Sequence, residues 1–307
     1  MEGKLTILGS GSAIPTYQNS PAGQILTLCD KSFLIDCGEG TQNSIRRLAI
    51  KTGRLYNIFI SHLHGDHCLG LVGLISTLGL GQRTGEIVIH AQPDAERIFR
   101  PLFEFFCPDL SMTVTFQSYD PYKSEVIYED KSLLIRTIPL HHRVPTAGFL
   151  FQEKPRDRHL LVDRCEELGI PFAYYQGIKK GNDWTDPESG KVVPNDLLTS
   201  EPTPSKSYAF CSDTIYTESV IPIIRGCDLL YHEATYGEED AIKARQRGHS
   251  TAKQAATIAQ KTEAKKLVIG HYSAQFMTNE QEQVLLQEAQ EIFPDTVLAR
   301  ETLVLDV

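Results

Sequence analysis

The sequence predicts a layered α/β sandwich, and three observations carry that prediction. Short apolar runs of strand length recur along all 307 residues. Amphipathic helical patterns lie between several of them. Both halves of the chain mix the two, which places helices against sheets rather than separating them into different domains.

In chain order, the strand-like runs are "KLTILGS", "SFLIDCG", "NIFIS", "EIVIHA", "SLLIRTIPL", "AGFLF", "SYAFCSD", "DLLYHEA", "KLVIGHY" and "TLVLDV". "CLGLVGLISTLGL" and "AERIFRPLFEFF" read as helices between strands of the first half. "STAKQAATIAQKTEAKK" opens with a Ser-Thr cap and spaces its apolar residues as a helix does, and "NEQEQVLLQEAQEIF" reads as a last helix. Residues 152–206 differ from the rest: "EKPRDRHL", "GIPFAYYQGIKKGNDW" and "SEPTPSKS" are rich in proline, glycine and charge and poor in strand patterns. This stretch is expected to be inserted into a domain that spans 1–307. It is either a passive surface insertion or an arm that grips a partner.

Apolar residues make up 41% of the chain, enough for a substantial core. No run of eighteen apolar residues is present, so no membrane span is expected. "MEGKLTILGS" has no charged head before a long apolar stretch, and seven cysteines form no C-x-x-C pair. A reducing cytoplasm is the expected location. Cys68 and Cys211 lie near the motifs below and are expected to be buried thiols. The net charge of −9 disfavours indiscriminate binding to polyanions. A nucleic acid would need a local basic patch.

The densest chemical signal is "SHLHGDHCLGL", in which His62, His64, Asp66 and His67 fall within six positions. A turn after a strand end can aim His62 and His64 at one point and Asp66 and His67 at a second. A helix is expected from Cys68, and Gly65 is expected to relieve the backbone of the turn. Imidazole and carboxylate donors suit zinc, manganese or iron. Further candidates follow other strands: His141 or His142, Asp213 and His271. Ligands gather at the carboxyl ends of strands in open α/β sheets. A carboxylate such as Asp213 can bridge two cations. His249 precedes a helix start, where it is either a neighbour of the cap or a proton donor. Glu233, beside His232 at another strand end, could hold His249 protonated. His90 and His159 read as ordinary structural or surface residues.

The H-x-H-x-D-H pattern is the signature of the metallo-β-lactamase superfamily. "LTILGSGSAIPT", "FLIDCGEGTQ", "SHLHGDHCLGL", "CSDT", "LLYHEAT", "GHSTAKQAA" and "IGHYSAQF" together resemble the ribonuclease Z family, endonucleases that mature tRNA 3′ ends, from Lys4 to about Phe276. The resemblance implies a metallo-β-lactamase-like αβ/βα four-layer sandwich, two zinc ions per subunit (manganese as an alternative) and a homodimer. It implies one metal on His62, His64 and His142, a second on Asp66, His67 and His271, and Asp213 between them. His142 is chosen over His141 because the family places this ligand just before a turn ending in Gly-aromatic, here "HRVPTAGF". Asp66 would also serve as base for the attacking water and His249 as acid. The insertion falls where the family carries its tRNA-binding arm, with Lys154, Arg156, Arg158, Lys179 and Lys180 as phosphate contacts.

Two features depart from the family. The arm is not basic: from Glu153 to Lys206, eight Lys or Arg stand against ten Asp or Glu. Gln18 and Gln275 stand where members carry arginine. If those arginines touch the nucleotides at the cut, their loss weakens discrimination against precursors that already end in CCA. The implied reaction is hydrolysis of precursor tRNA by a metal-activated water. The alternatives are a phosphodiesterase on small substrates and a non-catalytic, metal-containing RNA-binding protein.

Overall fold

The computed structural model describes residues 3–307. In chain order, the first half supplies β1 (Lys4–Gly9), β2 (Gly23–Leu28), β3 (Lys31–Cys37), α1 (Thr41–Arg47), β4 (Leu55–Phe59), α2 (Gly65–Cys68), α3 (Gly70–Leu80), β5 (Gly85–Ala91), α4 (Asp94–Phe106) and β6 (Met112–Ser118). Next come β7 (Val126–Glu129), β8 (Leu133–Leu140) and β9 (Thr146–Glu153). The second half of the main unit holds β14 (Ser207–Cys211), α7 (Ile221–Ile224), β15 (Leu229–Glu233), α8 (Ala241–Arg247), α9 (Ala252–Thr262), β16 (Lys266–Gly270), α10 (Asn279–Gln290), β17 (Thr296–Leu298) and β18 (Val304–Asp306). The numbers 10–13 and α5–α6 belong to the insertion, described below.

Two seven-stranded sheets result. One has the order β18-β1-β2-β3-β4-β5-β6 and the other β17-β16-β15-β14-β9-β8-β7. Their inner faces share one core: Leu5, Ile7, Phe33 and Phe59 from the first sheet pack with Phe149, Phe151, Tyr208 and Tyr231 from the second. Phe59 meets Phe149 and Phe151 edge to face, each at 5.4 Å, the arrangement favoured by the ring quadrupole. Helices α3 and α4 cover the outer face of the first sheet through Leu71, Leu74, Ile75, Phe99 and Phe103. Helices α7, α9 and α10 cover the other through Ile224, Ile258 and Leu285. The layers are therefore helix, sheet, sheet, helix.

The strands and helices marked in the sequence all form. It left unmarked the short helices α1, α7 and α8 and four strands of the main unit, three of them sheet edges. Edge strands β6 and β7 are half-exposed or only four residues long, and β17 has three residues. Strand β2 is central, but its inward Gln24, which accepts a hydrogen bond from the Tyr208 hydroxyl, interrupts the apolar run. One boundary moves: the helix after the histidine motif begins at Gly65, not Cys68, so Asp66 and His67 occupy its first turn. Gly65 has no left-handed backbone, and a Cβ there would meet Leu69 Cδ1 at 2.8 Å. The glycine makes room for a side chain; it does not enable a turn. Gly70 has the stricter role, since a Cβ would lie 2.0 Å from the Gly38 carbonyl oxygen.

Residues 153–205 form a second compact unit. It contains β10 (His159–Leu160), α5 (Val162–Glu167), α6 (Tyr175–Lys179), β11 (Trp184–Thr185), β12 (Val192–Val193) and β13 (Thr199–Ser200). Its own small core gathers Cys165, Ile170, Ile178, Trp184, Val193 and Leu198. Strands of two residues leave no period to read, which is why the sequence showed none. Among the described residues no helix is long and apolar enough to cross a membrane.

Candidate metal centre

Seven of the singled-out side chains converge where both sheets of the main unit end. His62, His64, Asp66 and His67 follow β4; His142 follows β8, Asp213 follows β14 and His271 follows β16. His62 Nε2 and His142 Nε2 lie 3.1 and 3.2 Å from His64 Nδ1. Asp213 Oδ2 is 3.6 Å from His62 Nε2 and 3.7 Å from His142 Nε2. On the other side, His67 Nε2 is 3.1 Å from His271 Nε2. Asp66 Oδ2 lies 3.5 and 3.4 Å from those two nitrogens, and Asp213 Oδ1 lies 3.5 and 3.2 Å from them.

These spacings test whether the residues fit a metal. Donors about 2.0–2.1 Å from a tetrahedral ion lie roughly 3.3 Å from one another. The separations above, 3.1–3.7 Å, bracket that edge length, and Asp213 turns one oxygen toward each group. Its Oδ1 is buried with no hydrogen-bond partner, a costly state for a carboxylate oxygen unless a cation satisfies it. His141 is exposed and outside the cluster, whereas His142 lies within it.

The far nitrogens are held as metal-binding imidazoles require. His142 Nδ1 donates to the Gly248 carbonyl at 2.7 Å, leaving Nε2 as a lone pair. His67 Nδ1 faces Asp36 Oδ2 at 2.7 Å, His62 Nδ1 faces Ser61 Oγ at 3.0 Å, and His271 Nδ1 faces Thr235 Oγ1 at 3.0 Å. Two residues of this shell, Asp36 (φ 54°) and His271 (φ 63°), have left-handed backbones, a strain that the surrounding packing must hold. Burial drives His62, His64 and His142 below the ordinary imidazole range. Burial also opposes charge on His67, but Asp213 and Asp36 outweigh it and raise that imidazole well above its usual value. A cation would displace that proton, so metal uptake releases protons and weakens as pH falls.

Asp36 is a residue the sequence reading missed. It is fully buried, accepts from Ser61 N at 2.8 Å and Ser61 Oγ at 2.9 Å, and orients His67. Its only sequence signal was its place in "FLIDCGEG". Asp36→Asn is expected to lower metal affinity by roughly 10–100-fold, the usual cost of losing a carboxylate behind a ligand histidine. Competition with a chelator measures this directly, and unchanged affinity would show that Asp36 only shapes the backbone.

His249 stands at the edge of this cluster. Its Nδ1 is 3.0 Å from Glu233 Oε1 and 3.9 Å from Asp213 Oδ2. Glu233 is buried and fixed by Thr214 N, Thr235 N and Thr235 Oγ1 at 2.7–3.0 Å. Burial works against charge on His249, but Glu233 and Asp213 prevail and push it up to about 9. His249 with Asp213 and His271 also forms a possible ligand group. The commitment of Nδ1 to Glu233 argues for the proton-carrying role instead. An open cleft of about 480 Å³ exposes Asp66, Asp213, His249 and His271, with Arg143 and Arg247 on its rim.

Other expectations fare as follows. Cys68 and Cys211 are buried free thiols. His90 stacks on Phe59 at 4.3 Å inside the main unit, and His159 is exposed. Gln275 does not face the cleft: its amide donates to Asp240 Oδ2 at 2.8 Å and accepts from Lys243 at 2.8 Å. Gln18 lines a separate depression with Tyr17 and Arg300. The loss of positive charge beside the cut, expected from these glutamines, therefore does not describe the cleft, whose rim arginines come from elsewhere. In the second unit, Arg156 pairs with Glu153 at 2.7 Å. Arg158 is bound by Thr199, Asp196 and Glu201 at 2.7–2.8 Å, so its guanidinium builds the unit. Lys180 is exposed, and Lys154 and Lys179 are half-buried.

A four-layer sandwich with this histidine and aspartate cluster at the sheet ends is a metallo-β-lactamase fold. Solved structures agree: human tRNase Z, short form, matches with a TM-score of 0.70 at 23% identity over 99% of each chain, and the metallo-β-lactamase fold protein YhfI of Bacillus subtilis with a TM-score of 0.66 at 17% identity. The family model of anti-Pycsar protein Apyc1 matches residues 3–94. Ribonuclease Z of Parabacteroides distasonis is 49% identical over 99% of this chain and 98% of its own length. That of Phocaeicola vulgatus is 48% identical over 98% and 96%. The chain belongs to the ribonuclease Z family. That family and fold imply a metal cofactor, and the two donor groups fit one.

Proposed function

We propose that this chain is a metal-dependent endoribonuclease that removes 3′ trailers from precursor tRNA, in the cytoplasm and as a homodimer. The observation that carries the reading is Asp213, whose two oxygens face two donor groups, one of three histidines and one of two histidines with Asp66. The donor set suits two zinc ions, with manganese as the alternative. His62, His64 and His142 would hold one ion, Asp66, His67 and His271 the other, and Asp213 both. Held there, such cations would supply polarisation of a water molecule and compensation of charge on the phosphodiester oxygens.

The chain's own groups do the rest. Asp66, one of whose oxygens accepts from Ala13 N at 2.6 Å, is placed to take the proton of the attacking water. His249, kept protonated by Glu233, is placed to give a proton to the leaving oxygen. Water adds across one P–O bond, so one fragment ends in a hydroxyl and the other in a phosphate. The unit 153–205 is the proposed tRNA-binding arm, and its separate small core supports treating it as a removable module.

The test is incubation with a 3′-extended tRNA and mapping of the cut, with and without residues 153–205. Wild type should cut at the trailer junction. Replacing the arm by a short linker should cost tRNA affinity and flatten its salt dependence, while a small phosphodiester is still hydrolysed. Unchanged tRNA affinity after deletion would refute the arm. Turnover of the small ester alone would leave a small-substrate phosphodiesterase.

A further inference from the structure

A second depression, of about 610 Å³, lies against the metal cleft, and Arg143 lines both. His142 and Gly248 form part of the same wall, joined by the hydrogen bond from His142 Nδ1 to the Gly248 carbonyl. Gly248 has a left-handed backbone (φ 82°) and ends α8. A Cβ there would lie 2.7 Å from His142 Nδ1 and 3.3 Å from Arg143 Cγ. The close approach that only glycine permits sets the last turn of α8, with Arg245 and Arg247, beside the loop that carries His142 and Arg143.

The chemistry of this depression differs from that of the cleft. Glu39, Asp66 and Asp213 line the cleft, whereas no carboxylate lines the second depression. Its charged side chains are Arg143 and Arg245, both exposed. Among the described residues, Arg143, Arg245 and Arg247 enter no ion pair, while Arg97, Arg100, Arg164 and Arg225 each do. In a chain of net charge −9, unpaired arginines gathered on one wall are a local attractor for polyanions. Tyr122, which is 70% exposed, stands on the same wall and offers a flat ring to stack on a base. Unpaired cations beside an exposed aromatic ring are what single-stranded nucleic acid requires.

We infer that this depression is a subsite for single-stranded RNA continuous with the metal cleft, and that its occupant is the 3′ trailer just past the scissile bond. Arg143 spans the junction between cleft and subsite, Arg245 contacts a trailer phosphate, and Tyr122 stacks on a trailer base. The depression falls in the size range of small-ligand pockets, roughly 300–1,000 Å³, too small for a duplex acceptor stem. The inference rests on the nuclease reading above.

The test is single-turnover cleavage, below saturation, of one precursor tRNA carrying either a one-nucleotide or an about six-nucleotide trailer. Wild type, Arg245→Ala and Tyr122→Ala are compared, with metal content and melting temperature confirming that each variant is folded. Each substitution should slow cleavage of the long-trailer precursor by about 10-fold and that of the short one by less than about twofold. Arg245→Ala should also reduce the salt slope for the long trailer by roughly 0.7, one phosphate contact on a single strand. Equal losses on both lengths, or none, would overturn the trailer subsite while leaving the nuclease intact. Wild type that cuts neither precursor would remove the nuclease reading, and the subsite with it.

Discussion

Asp213→Ala is expected to cause the largest single loss of activity in this chain. Its carboxylate is the one group that reaches both donor sets, at 3.2–3.7 Å from four ring nitrogens. Its carboxyl pKa is held well below the usual carboxylate range: burial opposes the charge, but His271, His67 and His62 outweigh it. Without it neither set is complete. Because metal polarisation supplies several kcal/mol of transition-state stabilisation, cleavage should fall by roughly 10³-fold or more. Metal content should fall below that of wild type, measured by elemental analysis after dialysis. Chelation of wild type should reproduce the loss, and zinc or manganese should reverse it. Full activity in a verified metal-free preparation would sink the mechanism.

His249→Ala should lower turnover by roughly 10²–10⁴-fold, the range for a lost general acid, with metal content unchanged. The pH profile gives an independent reading. The acid form of His249 is present below its raised value of about 9 and is lost as pH rises through it. Glu233 is the main group that holds the value up. In Glu233→Gln, burial meets less opposition, so the alkaline limb of the rate profile should move to lower pH. If His249→Ala loses metal, the imidazole is a ligand and its assignment as acid fails. If Glu233→Gln leaves the limb in place, the 3.0 Å contact positions the ring without tuning it.

The candidate metal donors were legible because their chemistry is rare and their positions follow strand ends: His62 to His67 form one dense motif, and Asp213 and His271 each close an apolar strand. The choice between His141 and His142 was not, because adjacent residues share a strand end and only the fold points one inward. Asp36 was invisible as a functional group. A buried aspartate in an apolar run looks like a turn residue until Ser61, just past the parallel strand β4, and His67 on α2 are brought to it. Arg143, Arg245 and Arg247 were missed for a different reason. A charged residue in sequence carries no sign of whether it is paired, and the inserted unit's arginines that looked available, Arg156 and Arg158, are held by carboxylates of their own unit. Short edge strands escaped because three or four residues do not establish a period.

The placement of the seven donors has a consequence for how the chain becomes active. Four come from the first sheet and three from the second, so neither half of the sandwich presents a complete set of donors by itself. The stretch 3–94 that matches the Apyc1 model contains the first four donors and lacks Asp213, the one that joins the two groups. A nascent or misassembled chain thus carries ligands but no centre. Hydrolytic competence arises only once the inner faces of the two sheets have met, and metal that binds the finished site then holds them together. The active site acts as the inspection step of its own assembly: a molecule able to cut RNA is one that has already finished folding.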